Sequence, residues 1–89
     1  MSATAPRLDV DQIAVELDRI RENLIDAKHR AFPRLAREDL ENAYGDLCEE
    51  ALTTSFESVE QLEAWLNRAL RRDAIDILRS ARTRREACL

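Results

Sequence analysis

LEAWLNRALRRDAIDILRSARTRR, residues Leu62 to Arg85, decides the fold of this 89-residue chain. At about 100° per residue, Leu62, Trp65, Leu66, Ala69, Leu70, Ala74, Ile77 and Ala81 fall on one side of a helix. Arg68, Arg71, Arg72, Arg79 and Arg82 fall on the other. An apolar stripe of that length needs a partner surface, and burying it turns the five guanidinium groups outward. The pattern predicts a helix packed against its own domain that offers an anionic partner a basic rail.

The residues before this stretch set where the helix begins. Ser58-Val59-Glu60-Gln61 reads as a capping box, in which the Ser58 hydroxyl accepts from the amide three residues on and Gln61 reaches back. The helix is expected to run from there to roughly Arg82, with a tail or linker over 83–89. Thr53, Thr54 and Ser55 end the preceding helix, and Phe56 is expected to drop from that loop onto the core. The second helix starts near Arg37 to Asp39, where Glu38 and Asp39 complement its N-terminal dipole. Its core positions are Leu40, Ala43, Tyr44, Leu47 and Ala51, with Leu52 or Cys48 widening the stripe. Gly45 in its middle costs about 1 kcal/mol relative to Ala and suggests a close crossing or a slight kink. Asp9 is the expected N-cap of a first helix whose apolar residues Val10, Ile13, Ala14, Leu17, Ile20, Leu24 and Ala27 recur at helical spacing. Pro33 disfavours helix at Phe32, so that helix should stop near Arg30. Residues 1–8 are expected to form a flexible lead, and 9–82 one all-α domain, a compact bundle of three main helices.

Composition agrees with that reading. With 45% hydrophobic residues, 36% charged, one Gly and two Pro, the chain suits a small helical domain and excludes a disordered segment, a sandwich or a barrel. The MSATAP start has no basic, apolar leader pattern, and no window approaches the roughly 20 apolar residues that a membrane span requires. A cytoplasmic protein with no membrane partner is therefore expected. The net charge of −4 conceals an asymmetry. Through Ala64 there are 7 Arg/Lys against 15 Asp/Glu, and from Trp65 onward 7 against 3. A basic last helix on an acidic body fits a nucleic-acid contact confined to one face, although an arginine-rich face is more commonly just a solvated one.

Catalytic chemistry has little to draw on. His29, the single histidine, stands between Lys28 and Arg30 with no Cys or Ser placed for it to activate. One glycine cannot make a phosphate-binding loop. Cys48 and Cys88 have no companion at metal-ligand spacing, so no cofactor or metal is expected. The chain does not read as an enzyme. In the last helix, Asp76 can pair with Arg72 and Arg79, and Ile75 points into the arginine face. Ile75 either packs beneath another element or offers an apolar contact to a partner or a base. Trp65 lies mid-stripe and reads as core.

The run FESVEQLEAWLNRALRRDAIDILRSARTRR, Phe56 to Arg85, resembles region 2 of the sigma-70 family of bacterial RNA polymerase sigma factors, in particular the extracytoplasmic-function type. Ala64, Trp65, Leu66, Arg68, Ala69, Arg72, Ala74, Ile75, Asp76, Leu78 and Arg79 all fit that pattern of an aromatic, a capped start, "AWL", "A-I-D-x-L-R" and an arginine-rich end. The likeness weakens upstream, where the family's polymerase-gripping motif can be set on Asp39 and Leu40 or on Ala43 to Asp46. The resemblance implies a helical domain that binds the clamp helices of the polymerase largest subunit and captures the non-template strand of the melted −10 promoter element. It implies DNA contacts at Arg68, Arg71, Arg72, Ile75, Arg79 and Arg82, and a flipped base facing the loop of Thr53, Thr54, Ser55 and Phe56. It places the polymerase contacts on Asp39, Asn42, Tyr44, Asp46 and Glu49, and brings an anti-sigma factor into view as a further partner. The family's promoter-reading helix-turn-helix domain has no counterpart in these residues, which fits either an excised domain or shortened relative, or a stand-alone sigma-like protein. Two other classes stand beside this reading. One is a sigma mimic that binds polymerase or an anti-sigma factor without touching DNA; the other is a structural subunit that dimerises through its apolar faces.

Overall fold

The computed structural model describes residues 7–87, with side chains over 7–81. Three helices make the fold: α1 (Val10–Ala31), α2 (Arg37–Leu52) and α3 (Val59–Ala87), each packed against the other two. No strand occurs among the described residues, so the all-α three-helix bundle expected from periodicity is what the chain forms.

Local chemistry explains each boundary. The Asp9 carboxylate accepts from the Gln12 amide at 2.7 Å while Gln12 Oε1 accepts from the Asp9 amide at 2.9 Å, a reciprocal cap on two of the amides that a helix start leaves unpaired. α1 runs one residue past Arg30, to Ala31, before the Phe32–Pro33 step ends it, with the Phe32 amide donating to the Lys28 carbonyl at 2.8 Å. At α3 the Gln61 amide donates to Ser58 Oγ at 3.1 Å as expected, but Gln61 Oε1 takes the Glu57 amide, at 2.6 Å, instead of that of Ser58. α3 continues to Ala87, beyond the expected end near Arg82. The segment ARTRREA has neither Gly nor Pro to stop it, and Ala, Arg and Glu all favour helix.

The core contains Ile13, Leu17 and Ile25 from α1, Leu40, Ala43, Tyr44, Leu47 and Ala51 from α2, and Leu62, Leu66, Ala69, Leu70 and Ala74 from α3. Leu35 and Phe56 enter it from the two connections. Val10 is exposed and Ile25 takes a core place that helical spacing from Val10 had not assigned. Cys48 packs against the core and Leu52 does not, so the thiol is the residue that widens the α2 stripe. Leu8 also packs against the core, and its amide donates to the Phe56 carbonyl at 2.9 Å. The ordered domain thus begins before Asp9, while residues 1–6 of the expected lead lie outside the described residues.

Gly45 is exposed on α2, and a Cβ built there would meet nothing within 4 Å. It serves no close crossing. Its φ is negative, so Ala fits the existing backbone, and Gly45→Ala is expected to stabilise the domain by about 1 kcal/mol. Thermal melting followed by far-UV circular dichroism should show a rise of about 4–8 °C.

Candidate nucleic-acid interface

Burial of Leu62, Leu66, Leu70 and Ala74 fixes the rotation of α3 about its axis. That rotation presents Arg68, Arg71, Arg72 and Arg79 to solvent along the opposite side. These four arginines, with Ile75 and Asp76, line a shallow concavity of about 360 Å³. Ile75 is half-buried between them and also borders a second recess with Arg34, Leu35 and Leu78. It therefore joins the rail to the α1–α2 connection and forms an apolar floor between guanidinium groups. The side chain of Arg82 lies outside the described residues.

Three arginines of the acidic body, Arg19, Arg21 and Arg37, are tied down by carboxylates. Arg19 pairs with Glu16 and, at 3.1 Å, with Glu63. Arg21 reaches Glu41 at 3.0 Å, and Arg37 bridges Asp26 and Glu22, the latter at 2.7 Å. Such pairs hold α1 to α2 and α3, and the bonded Arg37 keeps the Asp26 carboxyl below the usual carboxylate range. On the rail, Arg72 has only a loose partner, Asp73 at 3.8 Å, and two-thirds of its side chain is exposed. Among the described residues, neither Arg68 nor Arg71 has a carboxylate within 4 Å. Guanidinium forks left open in this way suit phosphate oxygens.

Lys28 belongs with them, which reading each helix separately had missed. It is partly buried at the end of α1, and burial together with the positive charge of Arg71 lowers its ammonium below the ordinary lysine value. The basic surface thus crosses from α3 to α1. The basic last turn Lys28-His29-Arg30 was the available signal, but only the packing shows which of its members faces the rail.

The opposite flank of α3 is acidic. Asp73 and Asp76 line a recess of about 370 Å³ with Asp39, Asn42, Ala43, Asp46 and Ile77. Burial lifts the Asp73 carboxyl above its usual range; Arg72 opposes this, and Asp76, Glu50 and Asp46 add to it. Of the five residues that the family resemblance assigned to a polymerase surface, Asp39, Asn42, Asp46 and Glu49 are exposed. Tyr44 needs correction. It is only 2% exposed and its hydroxyl donates to the Leu17 carbonyl at 2.5 Å, so it ties α2 to α1 inside the core. Burial raises that phenol above its ordinary value.

The loop before α3 divides in the same way. Phe56 is buried, its ring meeting Trp65 edge-on at a centroid separation of 5.5 Å. It supports the loop from beneath and has no face to offer a base, a second correction. The Thr53 and Thr54 hydroxyls both donate to the Glu50 carbonyl, at 2.9 and 2.8 Å, and cap the end of α2. Ser55 is exposed. Trp65 is partly buried and packs against the core, while part of its indole opens into a concavity with Glu50, Arg68, Ala69 and Arg72.

No helix among the described residues is long and apolar enough to cross a membrane. No protein-family model, no curated protein and no solved structure matches this chain.

Proposed function

We propose that this chain is a sigma-factor-like transcription initiation domain that binds core RNA polymerase and holds the melted −10 element of a promoter on the outer face of α3. The observation that carries the reading is the contrast in charge pairing. Arg19, Arg21 and Arg37 of the body are engaged by carboxylates, whereas on the one exposed face of α3 Arg68 and Arg71 have no carboxylate partner among the described residues and Arg72 is only loosely held. The concave, Ile75-floored rail suits single strands because it joins phosphate-binding forks to an apolar surface on which bases rest. On the other flank, Asp39, Asn42, Asp46 and Glu49 supply an acidic face for the polymerase or an anti-sigma factor. Catalysis forms no part of this role.

Continuity of that acidic face with Asp73 and Asp76 favours one rival, a sigma mimic that binds protein partners through it and never touches DNA. The test separates them. The domain should bind a single-stranded −10-type oligonucleotide weakly, and more firmly when core polymerase is present. Substituting Arg72→Ala and Arg79→Ala together should weaken DNA binding and leave polymerase capture intact. Undiminished DNA retention by the double variant would remove the rail from the mechanism. Polymerase capture without any DNA binding would select the mimic, and no polymerase capture at all would sink the sigma-like role.

A further inference from the structure

The concavity beside Trp65 differs from the rest of the basic face because a carboxylate stands at its rim. Glu50 lies in the last turn of α2, a turn that contains no basic residue. A negative charge there opposes the helix dipole. It also adds to the carboxylate field that raises Asp73. Locally, then, Glu50 is placed against electrostatic preference, as happens where a residue serves something other than stability. Its backbone carbonyl is fully used, accepting the Thr53 amide at 3.1 Å and both threonine hydroxyls. Its carboxylate has no hydrogen-bond or ion-pair partner among the described residues, although Arg68 and Arg72 line the same concavity.

The remaining walls have a matching chemistry. Trp65 gives an aromatic surface whose orientation is set by the edge-on contact with Phe56, and Ala69 leaves room beside it. Arg68 and Arg72 are shared with the Ile75 concavity, so the two hollows flank one pair of guanidinium groups. An aromatic wall, two phosphate-binding forks and an uncommitted carboxylate make up the set that holds a base drawn out of its stack. The carboxylate selects among bases. Its two oxygens accept two parallel N–H donors, and only guanine presents two adjacent donors, N1–H and N2–H, on its Watson–Crick edge. Thymine and uracil place carbonyl oxygens on both sides of their single donor, and those would be repelled.

We propose that the hollow formed by Glu50, Trp65, Arg68, Ala69 and Arg72 holds one guanine base of a single strand, stacked against Trp65, with the Glu50 carboxylate accepting from N1–H and N2–H. This rests on the reading of α3 as a single-strand rail and adds a base preference to it. Trp65 is the single tryptophan of the chain, so its emission reports on this hollow alone.

The experiment compares an oligothymidine with the same oligomer containing one central guanine, by fluorescence anisotropy of a labelled strand and by quenching of Trp65. The guanine strand should bind about tenfold more tightly, in line with the discrimination of a bidentate base contact, and should quench the indole more strongly. In Glu50→Gln, which keeps the side-chain shape but replaces one acceptor with a donor, the affinity ratio should fall to about one. Circular dichroism of the variant should match that of the parent, since Glu50 is exposed. Equal binding of the two strands with equal quenching would overturn the guanine hollow while leaving the rail standing. A tenfold preference that survives Glu50→Gln would remove the carboxylate from it. Failure of both strands to bind at any salt concentration would defeat the rail, and the hollow with it.

Discussion

Leu66→Ala is expected to cost about 3–4 kcal/mol of folding stability. Leu66 is fully buried at the centre of the α3 stripe, among the largest side chains that the bundle encloses completely. Truncation removes three carbons from water-free surroundings and leaves a hole that three crossing helices can close only partly, because each is also fixed by its other neighbour. A domain of this size has a total stability on the order of 4–13 kcal/mol, so the loss is a large share of the whole. The melting temperature should fall by about 12–32 °C, measured by circular dichroism at 222 nm. A fall of under about 5 °C would mean that α3 is not the helix that organises the core. Because this variant tests packing alone, its DNA affinity below the melting transition should match that of the parent.

The second large effect concerns salt. Four rail arginines, each displacing a counterion from a single strand, give an expected slope of log affinity against log salt of about −3. Affinity for a single-stranded oligonucleotide should then drop about 50-fold between 50 and 200 mM salt. Removing Arg72 and Arg79 together should halve the slope, to about −1.4, leaving only about a sevenfold drop over the same range. The slope is more diagnostic than affinity at one salt concentration, since it counts charges engaged with phosphate and is blind to a general loss of fold. Ion pairs of the body, such as Arg37 with Glu22 and Asp26, are exposed and contribute little to stability. Thermal stability should therefore barely change over the salt range that removes most of the binding. A slope near zero for the parent would show that the rail meets no phosphate.

How legible each part was follows from whether its cause is local. Caps and helix boundaries depend on neighbours three or four residues away, which is why Asp9, Ser58 and Pro33 announced their elements in advance. The α3 ending did not follow, since nothing in ARTRREA breaks a helix. Tyr44 is instructive because two arguments pointed opposite ways. Helical spacing put it in the core stripe, while the register of a family motif put it on the surface; the spacing won, since burying the flanking Leu40 and Leu47 leaves Tyr44 no other side to face. Ile25, Leu35 and Lys28 depend on where helices cross, and no single-helix pattern contains that. The arginine face of α3 was visible from one helix alone. That Arg19, Arg21 and Arg37 reach carboxylates on neighbouring helices, and that Arg68 and Arg71 reach none among the described residues, could be seen only with all three helices in place. The carboxylate beside Trp65 was hidden for the same reason, since Glu50 and Trp65 lie on different helices.

The length of α3 also sets how much information its outer face can hold. From Arg68 to Arg79 the helix advances about 16 Å at 1.5 Å per residue. Even at the compact 3.4 Å spacing of stacked nucleotides, that length spans only about five steps of a strand. A five-letter word recurs about once in every thousand bases of random sequence, against a genome offering upward of a million competing sites. Whatever contrast the rail achieves, it can mark a place to hold a strand that is already open but cannot by itself say which opening to choose. In the role proposed for this domain, that choice falls to a partner, and the acidic flank of α2 and α3 is the surface left free to engage one.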